Sequence, residues 1–374
     1  MKEDDIKMLA EATRQEELKV DAHLRTLKSR DAVLELEPFL RLRWFYLLQV
    51  RHAELTRVTK DLFELLEPNN ETNIISVIGP TGIGKSTLGL ALQNSLAERF
   101  FGTAKPHEVP VVYVKAPANG EKSMSWTTLY TRILHAGNEV LVSKKRAIST
   151  AGNFQHVVPR GSVVLGVLRE SLEQMLKERN VRVLVIDEAL HLLRFSSYSA
   201  VMDTLKSLAD AHKTKLLLIG SYDIAELMTE YGQVARRSEI IHYRRYSPTK
   251  EGKEAFKTEI KKFQAHWPCH SVPNLTAVAE HLFGVSLGSI GILKAMLLRT
   301  LALQLADKKQ VFDADMLAKG CKSTKLLDKI DKETKAGELS LNGACYGESP
   351  LADKDVFKDL VEKLMTKQEE CVNA

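Results

Sequence analysis

The chain has 374 residues, 44% of them apolar and 27% charged, and carries a net charge of +5 from 53 basic and 48 acidic side chains. That length allows two or three domains, and that composition excludes a wholly disordered chain, a collagen-like chain and a disulfide miniprotein. The mild positive charge permits nucleic-acid binding without demanding it, because local basic surface matters more than the sum.

No run of roughly 18 apolar residues occurs, so neither a membrane span nor a membrane partner is expected. The most apolar early stretch, 39–50, is broken by Arg41 and Arg43. The chain starts acidic (Glu3, Asp4, Asp5), without the pattern of a secretory signal. Cys269, Cys321, Cys345 and Cys371 follow no regular spacing, which reads as reduced thiols in a cytoplasmic protein.

In chain order, residues 1 to about 70 read as helical, with Leu9, Leu24, Leu27, Leu47 and Leu48 among charged neighbours and no glycine before Gly79. Glu67-Pro68-Asn69-Asn70 stops that pattern. The β-branched run 74–78 reads as a buried strand, and 87–100 as a helix with Leu88, Leu92 and Leu96 on one face. A strand over 109–114, a helix over 124–142, a loop over 144–163 and a helix over 164–179 follow. Then come a strand at 181–186, a helix at 200–212 and a strand at 215–219. Strands alternating with helices at this spacing predict an α/β fold with a parallel sheet. Beyond about residue 246 strand signals stop, and 250–318 reads as all-helical. A lysine-rich linker or solvated helix face is expected over about 320–350, and an amphipathic helix over 351–368.

Gly79-Pro80-Thr81-Gly82-Ile83-Gly84-Lys85-Ser86 matches the P-loop pattern in full, and Thr87 follows. Glycines let the backbone turn so that successive N–H groups face phosphate oxygens. The helix that follows adds its N-terminal dipole. Lys85 is a point charge for the β- and γ-phosphates of ATP, and the Ser86 hydroxyl is a ligand for Mg²⁺. The second signal is an apolar strand ending in Asp187 and Glu188. In such a Walker B strand, Asp187 holds Mg²⁺ through water and Glu188 polarises the attacking water. A further apolar strand ends in Gly220-Ser221, where Ser221 is a candidate for orienting that water or a plain turn residue. Arg236-Arg237 is a candidate arginine finger for a neighbouring subunit's γ-phosphate, or a solvated basic pair; the sequence leaves open which of the two would act. His266, Cys269 and His270 lack the second half-motif of a structural zinc site and read as a helix end. His191 reads as a packed surface histidine.

This order of motifs resembles an AAA+ ATPase over roughly residues 45–318. Within that superfamily the chain is similar to the TnsC/TniB group of DNA-transposition regulators. The segments that carry the likeness are the helical lead-in 42–66, the run 77–87, Leu184-Val185-Ile186-Asp187-Glu188-Ala189-Leu190-His191, Leu218-Ile219-Gly220-Ser221 and Gly288-Ser289-Ile290-Gly291. The resemblance implies an N-terminal helical extension (1–45), an α/β ATPase core (46–245), a helical lid (246–318) and a C-terminal linker with a partner-docking helix (319–374). Many AAA+ lids carry a phosphate-touching arginine near 288–291; here Lys294 is the nearest cation. Such a lid fits slow hydrolysis.

The same resemblance implies ATP-bound subunits stacking into a ring or filament on double-stranded DNA, with a transposase and a TniQ-type target-selection protein as further partners. Hydrolysis would disassemble the array. The alternatives are another AAA+ DNA-handling factor, such as a helicase loader or initiator, and a nucleotide-gated protein-assembly scaffold. Lys122, in Asn119-Gly120-Glu121-Lys122-Ser123, and Lys144-Lys145-Arg146 are the candidate DNA contacts; the alternative is an ordinary solvated charge run.

Overall fold

The computed structural model describes residues 16–67, 69–102, 104–118, 125–139, 142, 148–151, 154–157, 165–194, 198–212, 214–225 and 237–346. Five parallel strands form the central sheet. They are β1 (Ile74–Ile78), β2 (Val111–Lys115), β5 (Val183–Asp187), β6 (Lys215–Gly220) and β7 (Ser238–His242), in the order β2-β5-β6-β1-β7. Every residue of β1, β5 and β6 is buried. That explains their unbroken apolar runs, since a parallel sheet is covered on both faces. β7 lies in the segment read as the arginine motif; its short Ile240-Ile241 core carried the only strand signal there.

Helices α4 (Lys85–Phe101), α5 (Trp126–Ala136), α6 (Leu165–Glu178) and α7 (Tyr198–His212) connect the strands, as the alternating pattern predicts. The core of this unit joins Leu129, Ile133, Leu168, Leu172, Val201 and Leu205 to the strand residues Val112, Leu184 and Leu216. Lys215 is buried, and its ammonium donates to the carbonyls of Leu65, Asn70 and Thr72 at 2.8, 2.9 and 3.0 Å. This one cation satisfies the chain reversal that delivers β1.

Two expectations need correction. The segment 144–163, read as a loop, contains an antiparallel pair, β3 (Ile148–Ala151) with β4 (Phe154–Val157), Ile148 opposite Val157. The Gly/Ser-rich average composition of the segment concealed the pair. The lysine-rich stretch, read as a linker or a solvated helix face and bounded as a linker, is a 23-residue helix, Thr324–Tyr346. Its lysines alternate with Asp328, Asp331 and Glu333, while Leu327, Thr334 and Leu341 are buried. Composition alone missed that apolar stripe. The expected helix at 351–368 lies outside the described residues.

A second compact unit gathers the N-terminal helices, residues 81–88 and residues 243–331. Residues 16–26 are helical, followed by α1 (Arg30–Leu34), α2 (Pro38–Leu47) and α3 (Ala53–Leu65), the last continuing past this unit. The predicted all-helical segment contains α8 (Lys250–Ala265), α9 (Ala279–Ser286), α10 (Ile290–Ala306) and α11 (Ala314–Gly320). One core unites Leu24, Val33, Trp44 and Phe45 with Phe256, Phe263, Trp267, Leu293 and Leu297. Arg30 adds bonds to the carbonyls of Trp267 and Cys269 at 2.8 and 2.6 Å. His266 and Cys269 are structural in this core: the His266 ring bonds to the Lys262 carbonyl at 2.7 Å, and Cys269 is buried, which raises its thiol to about 11. Among the described residues, no single helix is long and apolar enough to cross a membrane.

His52, just before α3, is also buried here. Its Nδ1 accepts from Leu55 N–H at 3.4 Å, which leaves Nε2–H to donate to Tyr243 Oη at 3.0 Å. Burial, with Lys262 nearby, lowers its pKa from 6.5 to about 4. The unfolded ring therefore takes up a proton as pH falls through 6.5, and the folded ring does so only near 4. Stability is lost across that window as pH falls, and this group removes no more below it. The loss is about 3 kcal/mol at one pKa unit per ~1.4 kcal/mol. Urea unfolding at pH 7 and pH 4.5 should show a drop in stability that is about 2–3 kcal/mol smaller in His52→Asn than in the wild type.

Candidate active site

The sheet brings the sequence motifs to its C-terminal edge. β1 ends at Ile78, in register with Gly220 of β6, and Gly79 N–H donates to the Gly220 carbonyl at 3.3 Å. β6 lies beside β5, with Asp187 opposite Ile219. The start of the P-loop, Asp187-Glu188 and Ser221 thus share one edge of three adjacent strands. The predicted switch from strand to Gly-rich turn to helix is observed: β1, then the turn 79–84, then α4 from Lys85.

The turn depends on its glycines. Gly82 and Gly84 have φ of 82° and 108°, where a Cβ is strained. Thr81 and Gly82 are exposed, Ile83 is buried, and Lys85 and Ser86 are part-exposed at the helix start, with Thr87 exposed beyond them. Leu88 N–H bonds to the Gly84 carbonyl at 3.0 Å, which closes the first turn of α4. The first N–H groups of such a helix have no intrahelical partner and are available to an anion.

The Asp187 carboxylate is 2% exposed and is held at both oxygens. Oδ2 accepts from Tyr113 Oη at 2.6 Å, and Oδ1 accepts from Glu188 N–H at 2.8 Å. Burial first, then the bond to Asp187, pushes the Tyr113 pKa far up, so the phenol stays a donor. Glu188 has φ of 54°, a left-handed conformation uncommon for a non-glycine residue. This turn separates the two carboxylates at the strand end, leaving Asp187 buried and Glu188 half exposed. Lys115 Nζ lies 3.7 Å from Glu188 Oε1, and His191 Nε2 lies 3.6 Å from Oε2. His191 is packed, as expected, and is also a neighbour of the candidate base. Ser221 Oγ donates to Asp223 Oδ2 at 2.7 Å.

Helix α10 approaches the P-loop through backbone. Ser289 occupies the N-cap position of α10 but makes no capping bond. Its hydroxyl donates instead to the Gly82 carbonyl at 2.8 Å. A Cβ on Gly291 would lie 1.9 Å from that carbonyl oxygen, and one on Gly82 would lie 2.8 Å from Ile292 Cγ1. Lys294, the cation of α10 nearest this stretch, donates to the carbonyls of Tyr46 and Leu48 at 2.8 and 2.6 Å. Burial lowers its pKa to about 8. This lysine is engaged by the end of α2 and is not aimed at a phosphate.

Other predicted residues are not gathered at the site. Arg237 precedes β7, whose Ser238 stands opposite Ile74, the first residue of β1. It is therefore at the N-terminal edge of the sheet, about 16 Å of strand from the P-loop edge. Its carbonyl accepts from Asn73 and Ile74, and its exposed guanidinium is 3.5 Å from Asp210. Arg236, Lys122, Lys144, Lys145 and Arg146 lie outside the described residues. Tyr113, Lys115, Ser289 and Gly291 escaped assignment from sequence. A tyrosine in the apolar strand Val-Val-Tyr-Val-Lys was the one available signal for the first of them.

If the backbone contact between lid and P-loop shapes the phosphate turn, Gly291→Ala must displace one or the other. The variant should bind a fluorescent ATP analogue at least about tenfold more weakly, a cost of ~1.4 kcal/mol, with its helical circular dichroism unchanged. Equilibrium titration checks this.

Residues 69–228 match the family model described as an AAA domain. No curated protein matches the chain. Among solved structures, the Aeropyrum pernix ORC1 protein in complex with DNA is 16% identical, with a TM-score of 0.52 over 79% of this chain and 70% of that one. The Aeropyrum pernix ORC2 protein, solved as ADPNP-ADP complexes, is 17% identical, with a TM-score of 0.49 over 74% of this chain and 69% of that one. Domain III of the Thermotoga maritima replication initiation protein DnaA is 13% identical, with a TM-score of 0.42 over 74% of this chain and 94% of that one. The ORC1 likeness is one of fold. The AAA-domain match and the ORC1 likeness of fold, together with the complete phosphate motif and the buried acidic strand end, lead to one conclusion: the chain has the AAA+ P-loop NTPase fold and is an ATPase.

Proposed function

We propose that this ATPase is a DNA-binding regulator of DNA transposition, similar to the TnsC/TniB group. In this reading it assembles on target DNA with ATP, recruits a transposase, connects it to a TniQ-type target-selection protein and disassembles on hydrolysis. The observation that carries the proposal is the Gly288-Ser289-Ile290-Gly291 stretch. In place of a lid arginine it offers backbone packed against the Gly82 carbonyl. A lid that contacts the phosphate turn without a catalytic cation suits a timed assembly switch better than a fast motor.

In the proposed chemistry, Lys85 and the N–H groups of 79–87 bind the phosphates, and Glu188 takes the proton of the attacking water. Ser221 orients that water. Ser86 and Asp187 are hard oxygen donors that suit Mg²⁺. Held there, Mg²⁺ would supply positive charge against the charge that develops on the phosphates. Arg237, at the far edge of its own sheet, serves a neighbouring subunit's site, either alone or with Arg236. A head-to-tail contact of that kind builds a ring or an open filament.

The loop between β2 and α5, with Lys122, and the segment before β3, with Lys144, Lys145 and Arg146, are the proposed DNA contacts. Phosphate contacts make binding fall steeply with salt. That the ORC1 structure was solved with DNA supports DNA as a ligand, and it also favours the second reading, an initiator-type DNA-handling ATPase.

Negative-stain electron microscopy with duplex DNA should show rings or filaments with a non-hydrolysable ATP analogue and none with ADP. Monomers off DNA in both states would overturn the DNA-coating model. Capture of a transposase by the ATP–DNA assembly separates the regulator from the initiator. Glu188→Gln should retain nucleotide binding, lose hydrolysis by about 100-fold or more and hold the assembled state after wild-type assemblies have decayed. Phosphate release measured beside particle counts checks it.

A further inference from the structure

We propose that Tyr113 is a positioning residue for ATP hydrolysis: its phenol sets the Asp187 carboxylate for Mg²⁺, and Gly89 is a glycine in order to leave that phenol room. The proposal rests on the reading of Asp187 as the acid that holds Mg²⁺.

Tyr113 stands in the middle of β2, opposite Val185 of β5. Asp187 is two residues further along β5, on the same face of the sheet as Val185. Such a diagonal neighbour is about 7–8 Å away, within reach of an aromatic side chain but not of the valines that flank Tyr113. The phenol spans that gap and donates to Oδ2 at 2.6 Å. Since Glu188 N–H holds Oδ1 at 2.8 Å, the carboxylate plane is fixed from two sides. An ionised carboxylate has about four acceptor positions, so each oxygen keeps capacity for a metal-bound water.

The helix after the P-loop is shaped to this arrangement. A Cβ on Gly89 in α4 would lie 2.9 Å from Tyr113 Cε2, 3.2 Å from Ile219 Cδ1 and 3.5 Å from Tyr113 Oη. Glycine inside a helix costs about 0.5–1 kcal/mol relative to alanine. Here the absent methyl is the space the ring occupies. An aromatic ring that only filled core volume would need no bond to the metal-binding acid. A hydroxyl that only sought satisfaction would need no slot cut for it in the phosphate helix. One side chain meets both conditions, and it connects α4 to the end of β5.

The experiment titrates Mg²⁺ against binding of a fluorescent ATP analogue to the full chain, with wild type, Tyr113→Phe, Gly89→Ala and Asp187→Asn in parallel, each also measured in EDTA. Tyr113→Phe keeps the ring and removes only the bond. It should raise the Mg²⁺ concentration at half-saturation about tenfold, the usual scale for removing a hydrogen bond behind a metal-binding side chain, while affinity in EDTA stays at the wild-type value. Gly89→Ala should shift it in the same direction by crowding the ring. If Gly89→Ala does not fold, the phenylalanine variant alone decides. A Tyr113→Phe half-saturation within about twofold of wild type would overturn the proposal if Asp187→Asn abolishes Mg²⁺-dependent binding. If Asp187→Asn also leaves that dependence intact, the assignment of Asp187 itself falls, and the role of Tyr113 falls with it.

Discussion

The turn between β1 and α4 must aim its backbone N–H groups at an anion, and the rest of the site is arranged around that demand. Only glycine reaches the φ values of 82° and 108° at Gly82 and Gly84 without strain. A turn with three glycines in six residues is held largely from outside. Neighbouring groups supply what it lacks: the Gly220 carbonyl at the first residue, and Ser289 and Gly291 at the Gly82 carbonyl. Ser289 gives up its place as a helix cap to do so.

The acidic end of β5 obeys a related rule. A carboxylate that is 2% exposed needs donors on both oxygens, and Tyr113 and Glu188 N–H provide them. The left-handed backbone at Glu188 then turns the second carboxylate toward Lys115 and His191. Two adjacent acids in sequence become two environments, one buried and fixed, the other half exposed and flanked by basic groups. That difference allows adjacent carboxylates to take separate tasks.

Much of this was legible in the sequence because it depends on local chemistry. The P-loop spacing states its own turn, and the runs in β1, β5 and β6 state their burial. The alternation of strands and helices states a parallel sheet. What escaped needed a partner distant in sequence. Nothing around Tyr113 points to Asp187, 74 residues on. Nothing around Lys294 points to the carbonyls at 46 and 48, and nothing around Gly291 points to Gly82. The hairpin β3-β4 and the helix at 324–346 were hidden for a different reason: average composition there resembles loop, while the order of residues specifies structure.

The Lys294 clamp has a mechanical corollary. Its ammonium ties the end of α2 to the lid helix α10, Arg30 ties α1 to the Trp267 and Cys269 carbonyls, and Trp44 and Phe45 lie in the same core as Phe263 and Trp267. The helices over residues 16–48 are therefore a handle fused to α10. A force applied to them is delivered to Ser289 and Gly291, and through these two residues to the phosphate turn. A molecule that grips residues 16–48 would hold the phosphate turn from a distance, through packing alone.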